Sequence, residues 1–475
     1  MDMSTETPEI PEIAIGGPIR RTIAILGAGG DLTERLLLPG IAKVVDASPE
    51  IEVHLIGAAR TPQSRDEWRG VVRRSLKAAG VSAATIDGLV ARSEFVATDA
   101  SSPEELRELL DACPTAPLLY IALPPAMGKK VAAALAELEL PGELRIAIEK
   151  PFGESEADAR ELNDALAEVV PDERLWRIDH FLGTPAALEL MRSREVVDAS
   201  GVPRLEASQG GALGRVEIVF EEELGIEGRG AFYDETGALR DMLQSHLMLM
   251  LTLTAMERPG GQEGRREGAH DGEGVYDGEG MHDGEGVHDG EGAHDGEPGS
   301  TLDDAMIAVL RNVSVWDDEP VSARRARYTA GDVGGKQLPA YVEEEDVDPE
   351  RGTETLAEIT LRVETPRWRG IPFLLRSGKA IGAARQEIIL TPADPGTEPT
   401  RIPLDAPADD NSADPYARVI AGMLGGSTLL SVRGDVAEEL WRIVGPVLDA
   451  WDRDADDLGE YEAGSAGKVG DEGGR

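Results

Sequence analysis

Two histidines with acidic neighbours are the strongest chemical signal in this sequence. Of seven histidines, only His54, His180 and His246 lie outside one low-complexity stretch. His180 sits in Arg177-Ile178-Asp179-His180-Phe181-Leu182-Gly183, and His246 in Arg240-Asp241-Met242-Leu243-Gln244-Ser245-His246-Leu247. A lone buried histidine is more often structural. Two, each with a carboxylate nearby, point instead to proton transfer. A carboxylate fixes the imidazole tautomer and stabilises the imidazolium once a proton is taken, which makes the pair an efficient general base near neutral pH.

The lysines add to this. There are eight in a chain with 90 acidic residues. Lys150, in Glu149-Lys150-Pro151-Phe152-Gly153, follows an apolar strand, and its side chain is expected in the crevice where open α/β sheets bind ligands. Pro151 fits a tight turn, for which a cis bond is one option. Lys379, in Phe373-Leu374-Leu375-Arg376-Ser377-Gly378-Lys379, follows a second strand-like run and by itself reads equally as a surface turn.

A glycine turn supplies the third element. Thr22–Leu26 is an apolar run ending in Gly27-Ala28-Gly29-Gly30-Asp31, followed by a helical stretch with Leu32, Leu36, Leu37, Ile41 and Val44 on its apolar side. Strand, glycine turn and helix N-terminus let a backbone approach a pyrophosphate. At the end of the next strand, Gly57-Ala58-Ala59-Arg60-Thr61 carries no acid for ribose hydroxyls. Arg60 is therefore a candidate for the 2′-phosphate of NADP, or else an ordinary surface arginine.

Strands expected at 94–98, 118–123 and 144–148, separated by helical patterns at 68–79, 103–110 and 128–138, predict a doubly wound parallel sheet. The fold class is α/β: an N-terminal Rossmann-type domain over 19–179, then a large α+β domain over 180–455 with a mostly antiparallel sheet. In the second part, 216–220, 308–315, 355–363 and 387–390 read as strands, and 241–256 reads as one buried helix. Residues 1–18 read as an acidic disordered tail and 456–475 as a C-terminal tail. Within 260–300 a six-residue unit of the form VHDGEG repeats five times with no apolar face, which predicts a solvated insertion. Weak metal binding by its histidines is the sharper alternative, and no metal is assigned to the protein.

The net charge of −43 makes nucleic acid and membrane surfaces poor partners, and requires a locally basic pocket for any anionic substrate. The single cysteine, Cys113, allows no intrachain disulfide, and together with the lack of a signal peptide or apolar span this predicts a cytoplasmic protein.

From Arg21 to about Trp451 the set resembles the glucose-6-phosphate dehydrogenase family. The motifs that carry the resemblance are GAGGDL, EKPFG, RIDHFLG, EGRGAFYDETGALRDMLQSHL, TETLAEITLRVETPRWRGIPFLLRSGK and DAWDRD. The resemblance implies NADP-linked oxidation of D-glucose 6-phosphate at C1 to 6-phospho-D-glucono-1,5-lactone, the first step of the pentose phosphate pathway, by a homodimer or homotetramer. By the same motifs His246 would be the general base and Asp179 its partner. His180, Lys150, Glu222, Asp241 and Lys379 would meet the substrate, and Gly27, Gly30, Asp31, Arg60, Pro124 and Lys150 the coenzyme.

The departures bear on the substrate. Where the family usually has HYLGK, this chain has Phe181 and Thr184, so a tyrosine hydroxyl and a lysine that help bind phosphate are both missing. Leu36 replaces a lysine, Ser245 an asparagine, and the stretch from Leu390 to Tyr416 is short. Each charge-assisted hydrogen bond contributes about 1.5–3 kcal/mol. Loss of two would weaken phosphosugar binding by about 10²-fold or more. The alternatives are the same hydride transfer on another hexose, including an unphosphorylated one, or a non-catalytic paralogue.

Overall fold

The computed structural model describes residues 19–196, 213–257, 301–317, 321–404, 414–454 and 458–468; the repeat insertion and the N-terminal tail lie outside these. Six parallel strands form the first sheet: β1 (Ile19–Leu26), β2 (Ile51–Ala59), β3 (Ser93–Ala97), β4 (Pro117–Ile121), β5 (Arg145–Glu149) and β6 (Leu175–Ile178). Their order is β3-β2-β1-β4-β5-β6, the doubly wound arrangement expected. Helices cover both faces, so a central strand such as β4 is buried at every position and reads as an unbroken apolar run. Because all six strands run the same way, their C-terminal ends share one edge, and Gly27, Arg60, Pro124, Lys150 and Asp179 all lie just beyond it.

The second sheet has the order β15-β14-β7-β13-β12-β9-β16, with β8 also paired to β12. Its strands are β7 (Leu213–Glu221), β8 (Val313–Val315), β9 (Ala323–Thr329), β12 (Leu356–Val363), β13 (Phe373–Gly378), β14 (Arg385–Pro392), β15 (Thr400–Pro403) and β16 (Leu458–Glu462); β10 (Gly331–Val333) and β11 (Lys336–Leu338) form a separate hairpin. Most pairs are antiparallel, but β7–β13 and β9–β16 are parallel. The β7–β13 pairing brings Glu222 and Lys379 out at the same end, one residue past Glu221 and Gly378 in register.

Several expectations are corrected. Residues 308–310 belong to the helix Leu302–Leu310, and only Val313–Val315 is strand. Leu36 does not face the core. Thr33–Leu37 is a π-helical turn, whose wider winding buries Leu37 and Leu38 and leaves Leu36 exposed at 38%. The stretch read as one helix over 241–256 is a π-helical segment, Leu239–Leu247, continued by the helix Met248–Ala255. Residues 458–462, assigned to a C-terminal tail, form β16 because they complete the edge beside β9. The helix Pro415–Gly425 packs on the first domain's helix Leu38–Ala47, and Gly434–Arg453 lies between the two parts, against Glu156–Ala167 on one side and Leu302–Leu310 and β8 on the other. No helix among the described residues is long and apolar enough to cross a membrane.

Trp441 is one of the ties between the two parts. It is 1% exposed, and its indole Nε1 donates to the Phe152 carbonyl at 3.0 Å, just after β5. Trp441→Ala is expected to lower unfolding stability by about 3–5 kcal/mol, the usual cost of emptying a large aromatic site. The midpoint of urea denaturation checks this.

Candidate active site

Asp179 follows β6 and caps the short 3-10 turn His180–Gly183, accepting the Phe181 N–H at Oδ1 at 2.9 Å. His246 projects from the π-helical segment, and its Nδ1 lies 2.7 Å from the same Asp179 oxygen. Ser245 donates its hydroxyl to the other oxygen, Oδ2. The carboxylate is fully buried and His246 is 2% exposed. The π-helical winding allows the adjacent residues Ser245 and His246 to grip the two oxygens of one carboxylate.

Aromatic rings fix the imidazole further. Phe181 lies face to face with His246 at 3.9 Å and 10° between planes. His180 meets His246 edge-on at 4.8 Å and stacks on Tyr416 at 5.0 Å. The Nδ1 of His180 is buried with no hydrogen-bond partner, an orphaned polar atom beside the His246 ring.

Burial by itself would push the Asp179 carboxyl up, but His246, His180 and Lys150 hold it well below the usual carboxylate range. Asp179 is thus ionised and can only accept, which puts the proton of His246 on Nδ1 and leaves Nε2 as a base. Burial pushes His246 below the ordinary imidazole value despite Asp179. Burial and the neighbouring His246 push His180 down to about 3.

Lys150 reaches across from the first sheet to the π-helical segment. Its Nζ donates to the Asp241 carbonyl at 2.6 Å and to Asp241 Oδ1 at 3.0 Å. Burial works to raise the Asp241 carboxyl, but Lys150, Lys379 and His246 bring it to about 2. Lys379 pairs with Glu222 and lies 5.9 Å from the Tyr233 ring centre. Beneath them, Glu149 accepts the Tyr120 hydroxyl and is pushed up to about 7 by burial.

The expected coenzyme edge is equally well formed. Gly27 has φ +95°, and a Cβ there would come within 2.0 Å of the Ala122 carbonyl oxygen, so only glycine fits. Gly27 and Ala28 donate their N–H groups to the Ala58 carbonyl, and Gly30 to Gly27 at 2.9 Å. Gly29 opens to free space: the nearest heavy atom to a Cβ added there would be Gln63 Nε2, at 3.8 Å. Asp31 is exposed and bonds Arg35 at 3.3 Å. Arg60 and Pro124 are exposed on either side of the turn. A concave glycine backbone, an arginine without an ion pair among the described residues, and no acid at the end of β2 fit a phosphorylated dinucleotide.

The structure therefore brings Asp179, His180 and His246 together, and sets the pairs Lys150–Asp241 and Glu222–Lys379 around them. Sequence reasoning missed Tyr416, Phe181 as a stacking partner, and Ser245 as a donor. Ser245 had a signal, its place beside His246. Tyr416 had none, because it arrives from a helix far along the chain.

Residues 24–187 match the family described as glucose-6-phosphate dehydrogenase, NAD binding domain, and residues 211–266 and 298–395 match its C-terminal domain. The glucose-6-phosphate 1-dehydrogenase of Gluconobacter oxydans is 30% identical, over 93% of this chain and 93% of its own. That of Dickeya dadantii is 28% identical over 94% of each. The crystal structure of the Mycobacterium avium enzyme superposes with a TM-score of 0.70 at 28% identity, over 94% of this chain and 95% of that one. A glucose-6-phosphate dehydrogenase in complex with its substrate shares the fold, with a TM-score of 0.74 at 24% identity over 96% of this chain and 97% of that one. On these matches the chain belongs to the glucose-6-phosphate dehydrogenase family of oxidoreductases.

Proposed function

We propose that the protein oxidises D-glucose 6-phosphate at C1 to 6-phospho-D-glucono-1,5-lactone with NADP. The observation that carries this reading is the 2.7 Å Asp179–His246 contact at the same sheet edge as the glycine turn. His246 Nε2 accepts the proton of the C1 hydroxyl, and Asp179 stabilises the resulting imidazolium. Gly27, Gly30, Asp31, Arg60 and Pro124 would hold the coenzyme, which when bound would supply a hydride acceptor beside C1. Lys150, Asp241, Glu222 and Lys379 orient the sugar by exchanging their mutual pairs for its hydroxyls. His180, neutral and with an unsatisfied Nδ1, faces the phosphate end. A homodimer or homotetramer formed through the second sheet completes the reading.

A second reading, the same chemistry on another hexose, is favoured by one observation. Phe181 offers only a ring, and Thr184 is committed to the helix Pro185–Val196, accepting the Ala187 N–H at 3.2 Å and donating to the Phe181 carbonyl at 2.7 Å. Neither side chain is spare for a phosphate. A non-catalytic role is disfavoured by the intact, fully satisfied Asp179–His246 pair.

Initial-rate assays with glucose 6-phosphate and free glucose decide between the two substrates. The phosphorylated sugar is expected to have the higher kcat/KM, and the reverse order would reject the first reading. His246→Asn should lower kcat by about 10²–10⁴-fold, the range for a positioned general base, with coenzyme affinity unchanged.

The pH profile follows from the direction of the His246 shift. A base whose value is depressed stays unprotonated to lower pH, so the acid limb of kcat/KM should fall below pH 6.5. Asp179→Asn removes the charge that favours the imidazolium, and should move that limb lower still while reducing kcat. For the coenzyme, Arg60→Ser should raise the KM for NADP about tenfold or more and leave that for NAD nearly unchanged, reflecting one lost charge-assisted contact.

A further inference from the structure

A second cationic cavity lies at the opposite edge of the first sheet. It measures about 500 Å³ and opens where β1, β4, β5 and β6 begin, closed on one side by the C-terminal end of the helix Pro415–Gly425. Arg21, Arg145 and Arg174 line it, with Trp176 as part of the wall and Glu143 and Glu173 beside them. No residue of the Asp179–His246 site takes part.

Three guanidiniums share this cavity with two carboxylates, which leaves an excess of one positive charge. In a chain with 90 acidic residues a carboxylate partner is the ordinary solution, and the sequence neighbours Arg20 and Arg177 have one in Glu52 and Asp172. Among the described residues, Arg21, Arg145 and Arg174 have no ion pair within the same distance. Their hydrogen bonds go to backbone carbonyls instead. Arg145 Nη1 donates to Met423 at 3.1 Å and Leu424 at 3.4 Å, Arg174 Nη1 to Gly142, and Arg21 Nη1 to Arg20 at 3.3 Å. Arg21 Nε is buried with no partner at all. The Arg145 guanidinium lies over the Trp176 ring, 5.9 Å from its centre. Burial, and then the charges of Arg21 and Arg174, hold it below the usual guanidinium value, with Glu143 opposing.

We propose that this cavity is a binding site for a small phosphate-bearing anion, held by Arg21, Arg145 and Arg174. Planar guanidiniums present paired N–H donors that match phosphate oxygens, and the Nη groups not used on backbone carbonyls are the available donors. Glu143 and Glu173 reduce the local positive charge, so a compact di- or trianion suits the cavity better than a larger polyanion. The helix that closes the cavity carries Tyr416, stacked on His180, at its other end, so one element borders both sites.

The test uses the full-length protein and pyrophosphate as probe, titrated by calorimetry with the coenzyme site filled by NADPH and the sugar site by glucose 6-phosphate, a pair that cannot turn over. One equivalent is expected to bind under these conditions. Arg21→Gln combined with Arg174→Gln should weaken it at least tenfold, while the KM values for sugar phosphate and coenzyme stay unchanged. Arg174→Gln alone, at a half-buried position, should give a partial loss in the same direction. Arg145 is left intact because it caps the helix Pro415–Gly425. Absence of binding once the other sites are full would overturn the proposal, as would equal binding by wild type and the single variant.

Discussion

The buried Asp179 carboxylate is the interaction on which the rest of the site depends. A charge with no solvent exposure is tolerated only when its oxygens are fully hydrogen-bonded and an opposite charge is near. Asp179 meets that demand with three donors: the Phe181 N–H, the Ser245 hydroxyl and His246 Nδ1. The first belongs to the turn after β6. The other two come from the π-helical segment that precedes the helix Met248–Ala255. The same bonds that hold the His246 imidazole in one tautomer therefore also tie the π-helical segment to the end of the first sheet. Loosening that arrangement would leave a buried charge unpaired, which is costly, so the geometry of the base is maintained by the stability of the fold.

Around this centre the other charged groups are already matched. Lys150 with Asp241, and Lys379 with Glu222, are ion pairs with both members largely buried. Each pair joins two elements distant in sequence, and each presents both a donor and an acceptor to the cleft. A polyhydroxylated ring can replace such contacts one for one, because a sugar hydroxyl both donates and accepts. Pre-paired charges also lower the cost of an empty site, since neither lysine nor carboxylate is left isolated in a low-dielectric setting.

Much of this was legible from the sequence, for physical reasons. The parallel sheet was readable because short apolar runs, the first ending in a glycine turn, alternate with helical patterns; the two histidine–carboxylate segments stood out because few histidines exist to choose from, and the pairing of Asp179 with His246 was what the family resemblance implied. What escaped depended on distant packing or unusual helical winding. Leu36 looked apolar and core-facing under an α-helical period, but Thr33–Leu37 winds as a π-turn and turns it outward. Residues 308–310 are an apolar run leading into the strand, yet they end a helix that Thr301 caps by accepting the Asp304 N–H at 3.2 Å. Residues 458–462 look like a polar tail until β9 supplies an open edge for them. Tyr416 became part of the site only because the helix Pro415–Gly425 folds back onto the first domain.

The large acidic excess places a further constraint on how such a site works. A chain with net charge −43 repels an anionic coenzyme and an anionic sugar at long range. At physiological ionic strength the repulsion is screened beyond about 8 Å. Local cations therefore decide binding once a ligand has entered the cleft. That makes the position of each of the few lysines consequential: Lys150 and Lys379, two of eight, both stand close enough to Asp241 to hold its carboxyl down, as His246 does. With Phe181 stacked on His246 and Thr184 occupied as a cap, the turn after β6 has been given over to holding the imidazole and starting the next helix. Beside that turn, a neutral His180 with an unpartnered Nδ1 offers a polar atom without adding a further buried charge.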